Sequence, residues 1–331
     1  MSKFLKWMKR MLTGLLIFVL VLVALTWVAG SIAKNSLAAQ YPAPGKLVDV
    51  GGYRMHIHCI GEGSPAVVME AGLNDFSVQW SAVQAEIGQF ARVCVYDRAG
   101  FGWSEASPHP RTVETMVSEL HTLLQNAEVE APYVMVGHSF GGIVVREFTH
   151  QYPNEVAGML LVDSAHEQHF VRIPAFATLT EAMASQFKLF ATLNSFGIMA
   201  LSPAQIPARG LEGEALEQYR ALLATTDYFN TAVIESSSFL AEFGNGPIQK
   251  LKSLGNLPLI VLTRGLPDSL PILSEQENAQ YDATWHQLQF ELVGLSSNSK
   301  QVMAQHSGHY IQLDEPNLVV DAVRELVDNK K

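Results

Sequence analysis

The segment Val134-Met135-Val136-Gly137-His138-Ser139-Phe140-Gly141-Gly142 constrains the fold more than any other part of the chain. An apolar, β-rich run introduced by Pro132-Tyr133 enters a Gly-x-Ser-x-Gly turn. Ile143 to Phe148 then leaves it with apolar residues on a helical period. A reversal this sharp, from strand to helix, crowds the backbone two positions either side of its serine, where Gly137 and Gly141 stand. It also pushes the serine hydroxyl into the open. That group is a weak nucleophile at neutral pH until a base lies beside it. The bland alternative is a glycine turn whose serine only bonds its neighbours. The strand before it and the helix after it argue against that.

A serine exposed in this way needs an acid and then a histidine later in the chain. Leu257 to Thr263 reads as a buried strand running into Arg264-Gly265-Leu266-Pro267-Asp268, and Gln305-His306-Ser307-Gly308-His309-Tyr310-Ile311 reads as a loop. In the resulting scheme Ser139 attacks an acyl carbon, His309 carries the proton, and Asp268 orients the imidazole. Asp163, which ends the apolar run 158–162, is the alternative acid, and His306 the alternative base. Backbone N–H groups must receive the oxyanion. The expected donors are Phe140, directly after the serine, and Leu73 in the loop after 66–70, with Asn74 in reserve. His56 and His58 share a strand face, but no third ligand stands near, so they read as hydrogen-bonded strand residues. No motif for a metal, nucleotide or flavin is evident, and the expectation is a protein without a cofactor.

At 48% hydrophobic and 16% charged residues, with net charge −10, the chain has a folded protein's composition and lacks the basic footprint of a nucleic-acid binder. Its N-terminus differs from the rest. Lys3, Lys6, Lys9 and Arg10 precede an uncharged stretch from Met11 to Gly30, flanked by Trp7 and Trp27. Twenty helical residues span ~30 Å, the thickness of a bilayer core. The basic flank belongs in the cytoplasm, which places the rest of the chain outside. We read an uncleaved single-pass anchor. A cleaved signal with Ser31-Ile32-Ala33 as its site is the alternative, and either reading exports the remainder. The only cysteines, Cys59 and Cys94, lie in separate strand-like runs; outside the cytoplasm they could pair, or they could remain small core residues.

Residues 35–46 read as a linker. Strands are expected near 47–50, 53–60, 66–70, 92–97, 133–137, 158–163, 258–263 and 288–293, and helices near 78–89, 112–127, 140–151 and 315–328. Alternation of this kind argues an α/β fold, a mostly parallel eight-stranded sheet flanked by helices, with an antiparallel hairpin across Gly51-Gly52. The stretch 166–252 lacks strand pattern and is too long for a loop. It reads as a helical cap, whose Phe187, Phe190, Phe196, Tyr228, Phe229 and Phe239 either line a pocket or pack the cap's own core. The core is then 47–165 together with 253–331.

Over roughly 47–328 the chain resembles the cap-bearing α/β-hydrolase superfamily. The resemblance rests on Glu70-Ala71-Gly72-Leu73, on Tyr96-Asp97-Arg98-Ala99-Gly100-Phe101-Gly102-Trp103-Ser104, on the Ser139 turn, and on Asp268 and Ser307-Gly308-His309. Many relatives carry His-Gly where this chain has Ala71-Gly72; a backbone donor survives that change. The Asp97-Arg98 turn reads as structural, with Asp97 capping or pairing with Arg98. Relatives that open epoxides use an aspartate nucleophile, so serine implies acyl transfer to water. The resemblance therefore implies a small-molecule acyl substrate, most simply a carboxylic ester. Peptidase or amidase activity and a non-catalytic binding role are the alternatives, and the oligomeric state is left open.

Overall fold

Eight strands form one sheet in the order β1-β2-β4-β3-β5-β6-β7-β8. They are β1 (Lys46–Asp49), β2 (Arg54–Ile60), β3 (Ala66–Glu70), β4 (Val93–Tyr96), β5 (Tyr133–His138), β6 (Val156–Val162), β7 (Leu259–Arg264) and β8 (Ser299–Ala304). This computed structural model describes residues 2–244, 252–270 and 272–328. The strands from β4 to β8 across the sheet are parallel, while β1, β2 and β4 pair antiparallel. The first hairpin turns at Gly51 and Gly52, both at positive φ, 118° and 97°, where a side chain would be strained. Cys59 faces Cys94 across the β2–β4 ladder and the two form a disulfide.

The central strands are buried on both faces, which explains their near-continuous apolar runs. Alternation along β5 sends Tyr133 and Met135 to one face and Val134 and Val136 to the other. The first face packs α3 (Val113–Asn126) and α4 (Gly141–Gln151) through Leu120, Leu123 and Phe148. Opposite, α2 (Ser81–Ile87) and the last helix (Pro316–Asp328) contribute Val83, Ile87, Val319 and Val323.

Between β6 and β7 the described residues contain helices only: α5 (His169–Arg172), α6 (Ala175–Ser195), α7 (Ile198–Leu201), α8 (Gly213–Thr225), α9 (Tyr228–Phe239) and short 3-10 and π turns. Residues 245–251, the end of the expected cap, lie outside the described residues. Phe187, Tyr219, Tyr228 and Phe229 form this insert's own core.

Two elements differ from expectation. The run at 288–293 is the end of a helix, α10 (Glu275–Val293), and the eighth strand is β8 at 299–304. Gln287 to Leu292 alternates polar and apolar, which mimics a strand. A capping box of Ser274 and Glu277 starts the helix, and Tyr281, Trp285, Leu288 and Leu292 bury one face of it. β8 lies at the sheet edge with mostly half-exposed residues, so no apolar run marked it. The first helix, α1 (Ser2–Gln40), also continues into the expected linker. Ala33 and Leu37 on it pack against the insert's core, and no proline intervenes before Pro42. α11 (Ile311–Asp314) and α12 (Pro316–Asp328) close the chain.

Candidate active site

The strand order sets where a site can form. From β3 the chain crosses to β4 on one side, then returns past β3 to β5 on the other. The carboxyl ends of β3 and β5 therefore diverge at a switch point, where open α/β sheets bind ligands. Ser139 follows β5 directly and Leu73 follows β3.

Ser139 has φ of 51°, a left-handed conformation uncommon for a residue with a side chain. Its surroundings hold it there. Its N–H donates to Val162 O (3.1 Å), and its O accepts from Ala165 N (2.8 Å) and Gly142 N (3.0 Å). A Cβ on Gly137 would stand 2.7 Å from Gly141 O, and one on Gly141 2.6 Å from Ala71 O and Glu70 O. The glycines thus let the turn close and let the β3 loop approach it.

The acid opposite His309 is Asp163, not Asp268. His309 Nδ1 lies 2.6 Å from Asp163 Oδ2. Asp163 is fully buried, follows β6 at φ 39°, and also accepts from Arg264 N (3.2 Å), Arg264 Nη1 (3.2 Å) and Trp285 Nε1 (2.9 Å). Burial pushes its carboxyl upward. The His309 hydrogen bond, the Arg264 and His309 charges and the Trp285 donor outweigh this and bring it down to about 2. An ionised carboxylate only accepts, so Nδ1 of His309 donates to it, and in the neutral imidazole the lone pair is then on Nε2. Asp268 stands four residues past β7. Its carboxylate accepts from Tyr281 OH (3.1 Å) and Ser269 N (2.9 Å).

The other candidates separate clearly. Asn74, the reserve oxyanion donor, has its N–H committed to Glu235 Oε2 at 2.7 Å. Leu73 and Phe140 both line the cavity that Ser139 and His309 share. His306 is exposed, and its N–H donates to Glu315. His56 is buried against Asp97 (2.8 Å). Asp97 does not pair with Arg98; it receives His56, Ser77 N and Trp103 N. His138, next to the serine, donates from Nε2 to the main-chain oxygen of His309 (2.9 Å), and burial holds it neutral, down to about 3.

Arg98 is the main feature that sequence reasoning missed. It donates to Glu70 (2.5 Å) and to the carbonyls of Ala71 and Gly72 (2.9 and 2.8 Å), and bidentately to Glu235 on α9 (2.7 and 2.9 Å). It therefore ties the β3 loop to the insert. Glu235 lies 137 residues downstream, and nothing local in the sequence marks it. The same holds for Arg209, whose side chain reaches the cavity and pairs with Asp75 (3.1 Å).

The cavity above Ser139 has a volume of about 340 Å³. Of the aromatic residues expected to line it, Phe239 does, joined by Phe140, Phe176 and Trp285; Leu179 and Met183 of α6 cover it. The size and apolar lining suit a small organic ligand.

Residues 65–201 match the family model of the alpha/beta hydrolase fold. An AB hydrolase superfamily protein of Gibberella zeae is 28% identical over 286 residues, which span 80% of this chain and 86% of that one. Among solved structures, a thermophilic esterase from Thermogutta terrifontis superposes with a TM-score of 0.59 at 21% identity, over 86% of this chain and 96% of the esterase. The epoxide hydrolase CorEH superposes with a TM-score of 0.62 at 16% identity, over 86% and 99%. With the sheet order and the turn at Ser139, these likenesses show that the chain adopts the α/β-hydrolase fold.

Proposed function

We propose that this protein is a membrane-anchored serine hydrolase that cleaves an uncharged carboxylic ester through an acyl-enzyme. The observation that carries the reading is the Asp163–His309 pair facing the cavity that holds Ser139 at a strained strand end. Nε2 of His309 takes the Ser139 proton as Oγ bonds to the acyl carbon. The oxyanion is received by the Phe140 and Leu73 N–H groups. Collapse expels the alcohol, which takes the proton from His309. Water then repeats the sequence and releases the acid. Asp163 stays ionised throughout and stabilises the imidazolium.

The insert acts as a cap that excludes water from the cavity. Its single guanidinium there, Arg209, is paired with Asp75, so this corner of the lining is formally neutral and favours an uncharged acyl group. The anchor reading is supported by the apolar, outward-facing surface of α1 from Met11 to Val28. It is also supported by the fit of α1 to the cap. Gly30 touches Gly197 so closely that a Cβ on Gly30 would stand 2.2 Å from Phe196 O. Cleavage near Ser31 would discard this contact. The Cys59–Cys94 disulfide accords with a catalytic domain outside the cytoplasm.

A fluorophosphonate probe tests the chemistry. Intact protein is expected to label at Ser139, Ser139→Ala is expected to take no label, and short p-nitrophenyl esters are expected to turn over. Equal labelling of the variant, or turnover of N-terminal proline amides alone, overturns the proposal.

A further inference from the structure

The cap carries an apolar face whose position relative to α1 identifies what covers it. Thr26, Gly30, Ala33 and Leu37 form the inward stripe of α1, spaced by about one helical turn, while Trp27, Val28 and Ile32 around them stay exposed. The stripe docks on the insert. Gly30 meets Gly197, and Ala33 and Leu37 join the insert's core. Gly30 also lies in the last turn of the uncharged span, which ends at Ala33; it stands one turn past Trp27 and one turn before Lys34, the first charge after Arg10. The end of the bilayer core therefore falls within about one helical turn of the Gly30–Gly197 contact.

Helix α7 begins at that contact. Its Ile198 and Leu201 are 38% and 46% exposed, although Met199 and Ala200 between them turn into the insert's core. Two outward aliphatic side chains on a four-residue helix, level with the end of a membrane span, would face water only if the bilayer were absent.

Resting on the anchor reading of α1, we propose that α7 is a membrane-contact element: Ile198 and Leu201 enter the headgroup–acyl boundary of the bilayer that α1 spans. The cap is then held at the membrane from two sides, by α1 and by α7. The consequence reaches the cavity. α6 carries Met183 over the site and ends two residues before Gly197. The 14 steps from Met183 to Gly197, twelve of them helical, span at most ~25 Å, so Met183 stands within about that distance of the contact at Gly197.

The test uses the full-length protein in phosphatidylcholine–phosphatidylglycerol vesicles. A single NBD label is placed at Ile198→Cys, Leu201→Cys, Val19→Cys or Phe290→Cys; the two native cysteines are in their disulfide and do not react. Val19 lies mid-span on α1, and Phe290 is an exposed apolar side chain (68%) on α10, which packs at the β7–β8 end of the sheet. The expected result is strong quenching of the Val19 probe by deep spin-labelled lipid. The Ile198 and Leu201 probes should be quenched at least twofold more by shallow than by deep spin label, and the Phe290 probe by neither. If the Val19 probe is not quenched, the anchor reading falls and this proposal with it. If it is quenched but the α7 probes are not, the anchor stands and the membrane contact of α7 is refuted. Blue-shifted α7 probes without lipid quenching would mean that protein covers the face, which also refutes it. Equal quenching at Phe290 would remove the specificity claimed for α7.

Discussion

Replacing Asp163 by Asn separates the two acids that the sequence offered. Oδ1 accepts from Arg264 N and Trp285 Nε1, and Oδ2 from His309 Nδ1 and Arg264 Nη1. An amide must aim its NH2 at one of these donor pairs. Toward His309 it forces Nδ1 to accept, so the proton moves to Nε2 and the base is lost. Toward Trp285 it leaves donors facing donors in a fully buried site. Loss of the correct tautomer costs three to four decades in kcat, about 4–5.5 kcal/mol. The Asp268→Asn variant weakens only the bonds from Tyr281 OH and Ser269 N, and is expected to stay within about threefold of wild type, a surface-scale change of ~0.5 kcal/mol. The assay is p-nitrophenyl butyrate hydrolysis beside a thermal melt that establishes folding at the assay temperature. A folded Asp163→Asn with activity within tenfold of wild type would refute the assignment, and a thousandfold loss in Asp268→Asn would restore the acid first expected. Stability carries a second signature. The folded Asp163 carboxyl titrates near 2 against an ordinary 3.8. Its contribution, about 2 kcal/mol, is therefore complete above pH ~4 and is lost as pH falls toward 2. Between pH 6 and pH 3 the loss seen in urea unfolding should be about 1 kcal/mol larger in wild type than in Asp163→Asn, which keeps the other depressed carboxyls.

Four further outcomes are expected. Glu235→Ala removes the bidentate partner of the buried Arg98, leaving it Glu70 as its carboxylate, and strands the Asn74 N–H, with ~3–5 kcal/mol lost in urea unfolding together with esterase activity. Glu70→Gln keeps Arg98 paired with Glu235 and removes one of two carboxylates sharing a single guanidinium; burial raises the Glu70 carboxyl to about 7, so this variant should stay within ~1 kcal/mol of wild type. Gly30→Val drives a branched side chain into Phe196 O and should lower the melting temperature by the equivalent of ~1–3 kcal/mol, while Gly14→Val, with nothing within 4 Å, should leave it unchanged. Removing both cysteines releases a cross-link across 35 residues and should cost ~3–4 kcal/mol in denaturant unfolding, with the fold retained.

The sequence by itself determined the elements whose signal is local. A strand buried on both faces must be apolar along its length, so β3, β5, β6 and β7 stand out. A strand-to-helix reversal with an exposed side chain requires small neighbours, so Ser139 is marked by Gly137 and Gly141. An uncharged run of 23 residues behind a basic flank marks α1. Tertiary structure decided whatever depends on which chain ends meet. Asp163 and Asp268 both follow apolar runs, and no spacing rule distinguishes them. Asp163 is the one that meets His309 because β6 lies beside β5, and Arg264 and Trp285 converge there on its buried carboxylate. The clamp from Arg98 to Glu235 and the contact between Gly30 and Gly197 are likewise silent in sequence. Each joins residues more than a hundred positions apart, and packing alone brings them together.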